Sequence, residues 1–263
     1  MDIKTLAEQY NDYIIDRRRY YHTCPELSGE EKNTRAHLKE DLEALGITDI
    51  HELETCYGLT ATIHGGKPGK TVGLRADTDA LSFQEETGLP FASCEPGKMH
   101  ACGHDTHIAM LLGAAKLLQE HREELRGDVR LIFQPAEEHV IGSKAMIAEG
   151  ALDGVDAIFG QHVCPSENDT VGTLNLYKGY FTSAVDLLHI TVHGKSGHGA
   201  APHTAHDAIA CAGYLITALQ TVVSRRIDPM DSAVLTVGTM SGGDAVNITA
   251  GEARMVAGLR SFS

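Results

Sequence analysis

The chain has 263 residues, enough for one large domain or two modest ones with a real core. Its formal net charge of −14, with no Lys/Arg cluster to offset it, argues against a nucleic-acid surface. No apolar run approaches membrane-spanning length, and the amino terminus lacks a signal-peptide core, so neither a membrane nor an export role is expected. The six cysteines are scattered without a short-spaced framework, which favours reduced thiols and a cytoplasmic location.

Residues 3–20 carry Ile3, Leu6, Ala7, Tyr10 and Ile14 at helical spacing, with Asp2 as a cap. Ser28-Gly29-Glu30-Glu31 fits a capping box that opens a second helix through Leu38, Leu42 and Leu45, stopping at Gly46. Leu59–His64 and Thr71–Arg75, separated by the turn residues Gly65 to Gly69, read as a hairpin or as adjacent strands. A helix with Ile108, Leu111, Leu112, Ala115 and Leu118 on one face follows, with Asp105 as its expected cap. Asp128–Gln134 is a third strand, broken by Pro135. A short helix over roughly 141–149 leads to a fourth strand, Val155–Val163, ending in Gln161-His162-Val163-Cys164-Pro165. This alternation predicts an α/β fold whose mostly parallel sheet is flanked by helices.

The character changes near residue 185. Val185–Val192 reads as a strand, Thr204-Ala205-His206-Asp207 as a capping box, and Ile209, Ala212, Ile216, Leu219 and Val223 as the apolar face of a helix. Two more strands, Ala233–Met240 and Ala253–Ser261, complete a smaller α+β unit. The expected division is 1–184 and 185–263.

The chemistry concentrates in Met99-His100-Ala101-Cys102-Gly103-His104-Asp105-Thr106-His107, a thiol and three imidazoles of the kind that suit a borderline-soft divalent metal. Gly103 removes side-chain bulk where Cys102 and His104 must converge. Asp77, Glu137, Glu138 and His162 each come just after the apolar part of a strand, so a parallel sheet would gather them in one crevice at its carboxyl ends. Adjacent carboxylates at 137 and 138 point different ways on extended backbone, so one could bind a metal while the other faces a substrate. Asp77 and Asp79 either cap a turn or hold a ligand imidazole in its tautomer.

Five segments, R-A-D-T-D-A-L, M-H-A-C-G-H-D-T-H, F-Q-P-A-E-E, G-Q-H-V-C-P and G-K-S-G-H-G-A-A-P-H, stand in the order expected of the M20 metallopeptidases, and the chain resembles their amidohydrolase branch. The resemblance implies a catalytic domain with two divalent metal ions, zinc or manganese, with cobalt or nickel as alternatives. It also implies an inserted lid domain through which homodimers form. Cys102, His104, Glu138 and His162 would be metal ligands, Glu137 the general base and Asp77 its supporting aspartate. His198, Asn247 and, more weakly, Arg260 would bind substrate. The implied reaction is hydrolysis of the amide bond of N-acyl amino acids or related conjugates by a metal-activated water. Family members supply one more histidine ligand beyond the lid, and both domains are expected to be incomplete in this sequence. A chain that binds metal or dimerises without turnover is the alternative.

Overall fold

A computed structural model of the chain describes residues 3–164, 170–176, 178–180 and 182–262. Asp2 and Pro165, named above as a cap and a strand end, lie outside them. The chain divides into two compact units, Met1–Asp169 and Thr170–Ser263.

In the first unit the single helix expected over 3–20 is two, α1 (Ile3–Gln9) and α2 (Asn11–Thr23). The break falls at Tyr10, whose hydroxyl donates to Glu120, and before Asn11, a residue that competes for backbone hydrogen bonds inside helices. Helix α3 (Lys32–Ala44) is not opened by a Ser28 capping box. The Ser28 hydroxyl donates instead to Asp79 Oδ2 at 2.6 Å, and the Glu26 carboxylate takes the helix amino terminus, accepting from Thr34 N at 2.7 Å.

Strands β1 (Asp49–Glu52), β2 (Leu59–Ile63) and β3 (Val72–Asp77) precede helix α4 (His104–Glu120). Strand β4 (Val129–Gln134), helix α5 (Gly142–Ala148) and strand β5 (Ala157–Gly160) follow. The sheet order is β1-β2-β4-β3-β5. Thus β2 and β3 are not a hairpin or neighbours; β4 lies between them, antiparallel to β2 and parallel to β3. The glycine-rich connection does not fold back on itself because it bonds to the segment entering β4, with Lys67 N donating to Leu125 O at 3.1 Å and Gly127 N to Lys67 O at 2.8 Å. The α/β sheet is mixed, with β4, β3 and β5 parallel and the β1–β2 edge antiparallel.

Leu38, Leu42, Ile108 and Leu112 from the helices pack on Leu59, Ala61, Leu131 and Phe133 of the sheet, all fully buried. Each of the leucine, isoleucine and phenylalanine side chains contributes about 1.5–3 kcal/mol, so this face is the main support of the crevice at the strand ends. Ile132 alternates to the opposite face, where Met146 of α5 covers it.

The second unit runs β6 (Ala184–His193), β7 (Gly197–His198), α6 (Ala208–Arg226), β8 (Ala233–Gly242), β9 (Ile248–Thr249) and β10 (Glu252–Ser261). An antiparallel sheet of order β6-β10-β8 is covered on one face by α6, through Ala208, Ala212, Leu215 and Ile216. Asp207 alone caps α6, accepting from Ala210 N at 3.0 Å, while Thr204 sits in a short 3-10 turn. The expectation about apolar runs needs correction here. With 19 residues and a mean hydropathy of 1.3, α6 is long and apolar enough to cross a membrane by length and composition. It is nonetheless docked by one face on the sheet.

Candidate metal centre

Three parallel strands end at one rim of the first unit. Asp77 closes β3, Gln134 of β4 leads through Pro135 and Ala136 to Glu137 and Glu138, and Gly160 of β5 is followed closely by His162. The amino end of α4 brings Cys102 and His104 to the same rim. Side-chain donor atoms within 4.8 Å of one another group as Cys102, His104 and His162, as His104, Glu137 and Glu138, and as Asp77, His104 and His107. His104 belongs to all three groups and is the hub of the cluster.

Gly103 permits this turn. Its φ is +87°, a left-handed value, and a Cβ there would lie 2.4 Å from Val163 Cγ2. Gly103, not Asp105, is therefore the residue before the first helical turn of α4. Asp105 is buried below it, accepting from His22 Nδ1 at 2.8 Å and ion-paired with Arg18 Nε at 2.9 Å.

The imidazoles are held in defined tautomers. His104 Nδ1 donates to the Asp79 carbonyl at 2.9 Å, leaving Nε2 as a lone pair. That Nε2 is buried without a hydrogen-bond partner and faces Asp77 Oδ2 at 3.6 Å, Glu138 Oε1 at 3.8 Å and Glu137 Oε2 at 4.0 Å. His162 Nδ1 donates to Val163 O at 2.6 Å, turning its Nε2 to Cys102 Sγ at 3.4 Å. An orphaned imidazole nitrogen and the likewise orphaned Glu138 Oε1, converging with a thiol and a second imidazole, fit a divalent metal of borderline softness. Cys102 is half-buried and His162 exposed, so the cluster opens to solvent on that side.

His107, equal to the other histidines in the motif, has a different task. Its Nδ1 donates to Asp77 Oδ1 at 2.5 Å and its Nε2 accepts from Val163 N at 2.9 Å, so both nitrogens are used. It ties the end of β3 to the segment after β5. His100 is buried with neither ring nitrogen hydrogen-bonded, and burial pushes it down to about 4, so it is neutral.

Electrostatics follow from this packing. Burial alone would raise Asp77, but the His107 hydrogen bond and the neighbouring His104 and Arg75 outweigh it and hold the carboxyl well below its ordinary value. Burial, Glu138 and Asp77 push Glu137 up, towards the range of an effective proton acceptor. Burial and then Glu138 push the Cys102 thiol up to about 12, so a metal must displace its proton.

Two groups support the ligands from behind: Asp79, one of the two aspartates read in the sequence as a turn cap or an imidazole holder, and Glu31, read there only as part of a capping box. Asp79 accepts through Oδ2 from both Ser28 and Glu138 N, the latter at 3.0 Å, while its carbonyl orients His104. Glu31, fully buried, accepts from Ala136 N at 2.7 Å. Ala136 is itself left-handed, with φ +48°, directly before the two glutamates. For Glu31 the sequence signal was the Ser28-Gly29-Glu30-Glu31 pattern, which reads as a helix cap.

In the second unit His198 of β7 lies beside Asn247, whose carbonyl accepts from Gly199 N at 2.8 Å. Both line a shallow open depression with Ser196, Gly197 and Ile248. Arg260 is not with them; it stands near the far end of β10, paired with Val185 and Val234.

A family model described as peptidase family M20/M25/M40 matches residues 73–260. The chain is 46% identical over 255 residues to an N-acetyl-L-cysteine deacetylase of Bacillus subtilis, covering 94% of this chain and 61% of the relative. It is 40% identical to an N-acyl-L-amino acid amidohydrolase of Geobacillus stearothermophilus, covering 99% of this chain and 70% of the relative. Among solved structures, a dinuclear metal-binding peptidase of the M20 family from Bacillus subtilis superposes with a TM-score of 0.79 at 37% identity, over 97% of this chain and 65% of that one. The chain thus spans 61–70% of the length of these proteins.

Proposed function

The chain belongs to peptidase family M20/M25/M40, and we propose that it serves a cytoplasmic metal-dependent amidohydrolase acting on N-acyl amino acids. The observation that carries this reading is the unpartnered His104 Nε2 among Cys102, Glu138 and His162, with Glu137 beside it. In the proposal Cys102, His104, Glu138 and His162 hold the ions, zinc or manganese, and His107 and Asp79 keep the ligands oriented. The bound metals would polarise the amide carbonyl and acidify the attacking water. Glu137, raised by burial and its acidic neighbours, takes the proton of the water and returns it to the leaving nitrogen. Asp77, anchored by Arg75 and His107, keeps negative charge beside His104 throughout.

The substrate class is supported by the names of the two amidohydrolase relatives, both acting on N-acylated amino acids. His198 and Asn247 would hold the substrate, His198 reaching the site of a second subunit, with Arg260 a separate candidate. Dimerisation through the second unit is supported by its exposed apolar side chains, Leu187 at 66% and Tyr214 at 81%.

The test is hydrolysis of N-acetylcysteine, N-benzoylglycine and a plain dipeptide by zinc- or manganese-loaded protein. Release of free amine from the N-acyl substrates is expected. Glu137→Gln should retain metal and lose roughly two orders of magnitude or more in turnover. Normal turnover by Glu137→Gln would overturn the base assignment, and metal retention without any hydrolysis by the parent would favour the non-catalytic alternative. Mixing His198→Ala with Glu137→Gln protein should restore activity if His198 acts in trans.

A further inference from the structure

Before the ligand turn the chain makes a closed excursion. Leu81 N donates to Met99 O at 3.0 Å and Met99 N to Leu81 O at 3.1 Å, so residues 82–98 leave and rejoin at one point. The excursion docks on the carboxyl end of α2. The Phe91 ring packs edge-on against His22 with centroids 5.7 Å apart, and the Thr23 hydroxyl donates to Phe91 O at 3.2 Å. Cys94 N donates to Thr23 O at 2.9 Å. Bond lengths on either side of that hydrogen bond hold the Cα atoms of Cys24 and Cys94 within about 7 Å, the span of a disulfide. Both cysteines are free and exposed. Burial, followed by the neighbouring Cys94 thiol, pushes the Cys24 thiol up.

We propose that Cys24 and Cys94 form a thiol–disulfide modification site, oxidised by low-molecular-weight disulfides such as oxidised glutathione, that staples the 82–98 excursion to α2. The Cys94 thiolate attacks one sulfur of the oxidant, forming a mixed disulfide and expelling one glutathione as thiolate, which takes up a proton. Cys24 then loses its proton and attacks the Cys94 sulfur, expelling the second glutathione as thiolate, which takes up a proton. Two protein thiols lose two hydrogens, and one oxidant disulfide becomes two thiols. The excursion joins Asp79 on one side to the Cys102–His104 turn on the other, so the staple fixes the chain on both sides of His104 without using a ligand. The inference stands on the packing of α2 and holds whether or not the functional proposal does.

The experiment treats the whole chain under native conditions with oxidised glutathione at graded ratios, then alkylates free thiols and digests with trypsin without reduction. Cleavage after Arg19, Lys32, Arg75 and Lys98 places Cys24 alone in peptide 20–32 and Cys94 alone in peptide 76–98. The expected product is these two peptides joined, two hydrogens lighter than their sum. Alkylation at Cys24 and Cys94 should fall roughly tenfold, while Cys211, exposed on α6, carries only a glutathione adduct. In Cys24→Ser the reaction should stop with glutathione on Cys94, a result that does not depend on the staple forming. The proposal is overturned if both cysteines remain alkylatable at oxidant levels that modify Cys211. It is equally overturned if Cys94 links to Cys211 or Cys164 as readily as to Cys24.

Discussion

Glu31 offers the sharpest test of how this chain presents its two glutamates. Its buried carboxylate accepts from the N–H of Ala136, which is held left-handed at φ +48°. Glu31→Ala removes a charge-assisted hydrogen bond worth about 1.5–3 kcal/mol and leaves a buried N–H unpaired. Trimming the buried methylene adds about 1 kcal/mol. The strain of a left-handed alanine, about 1–2 kcal/mol, then has nothing to offset it. The expected loss is about 3 kcal/mol, read as a shift of about 1–2 M in the first urea transition by far-UV circular dichroism. Glu31→Gln keeps an acceptor and should stay within about 1 kcal/mol of the parent. Burial raises the Glu31 carboxyl, so its charged form is disfavoured in the fold and stability falls as pH rises above its ordinary 4.5. Glu31→Gln should therefore gain on the parent with rising pH. Adding Ala136→Gly to Glu31→Ala should recover about 1 kcal/mol, because glycine removes the left-handed penalty. Zinc affinity of Glu31→Ala should fall roughly 10–100-fold as the glutamates lose their placement. A Glu31→Ala protein as stable as the parent, or a Glu31→Gln as damaged as Glu31→Ala, would refute the reasoning.

Zinc binding must release the proton of Cys102, held up to about 12, so affinity should rise at least about tenfold per pH unit between roughly pH 6 and 8. Chelator competition reads this, and Cys102→Ser should flatten the slope. Asp77→Asn should weaken metal binding roughly 10–100-fold by freeing His107 and Arg75. Since the Asp77 carboxyl is held below its ordinary 3.8, its contribution to stability is present above that pH and is lost as pH falls, so the gap between parent and Asp77→Asn should narrow in acid. Gly103→Ala forces a Cβ to 2.4 Å from Val163 Cγ2 at a left-handed φ, and should cost about 2–3 kcal/mol in urea unfolding together with zinc affinity. An unchanged Gly103→Ala protein would mean that the turn has other room to relax.

The sequence by itself determined the strand–helix alternation and the residues that follow each strand. A parallel sheet has all its carboxyl ends at one rim, so Asp77, Glu137, Glu138 and His162 had to meet there once β3, β4 and β5 were strands. Local spacing also gave α4, α5 and, in the second unit, α6 with the three long strands β6, β8 and β10, but not the short β7 and β9. Tertiary structure decided the rest, because it depends on partners far away in the chain. Nothing local shows that β4 inserts between β2 and β3, since the Gly65–Gly69 turn suits a hairpin equally well. Ser28, Glu31 and Asp105 have the chemistry of helix caps. They are spent instead on Asp79, on Ala136 and on His22 with Arg18, where a buried polar group must find a partner. His104 and His107 are adjacent imidazoles in one motif, and only their surroundings separate them. Asp77 and Val163 occupy both nitrogens of His107, whereas the Asp79 carbonyl takes just one of His104 and leaves the other facing the carboxylates.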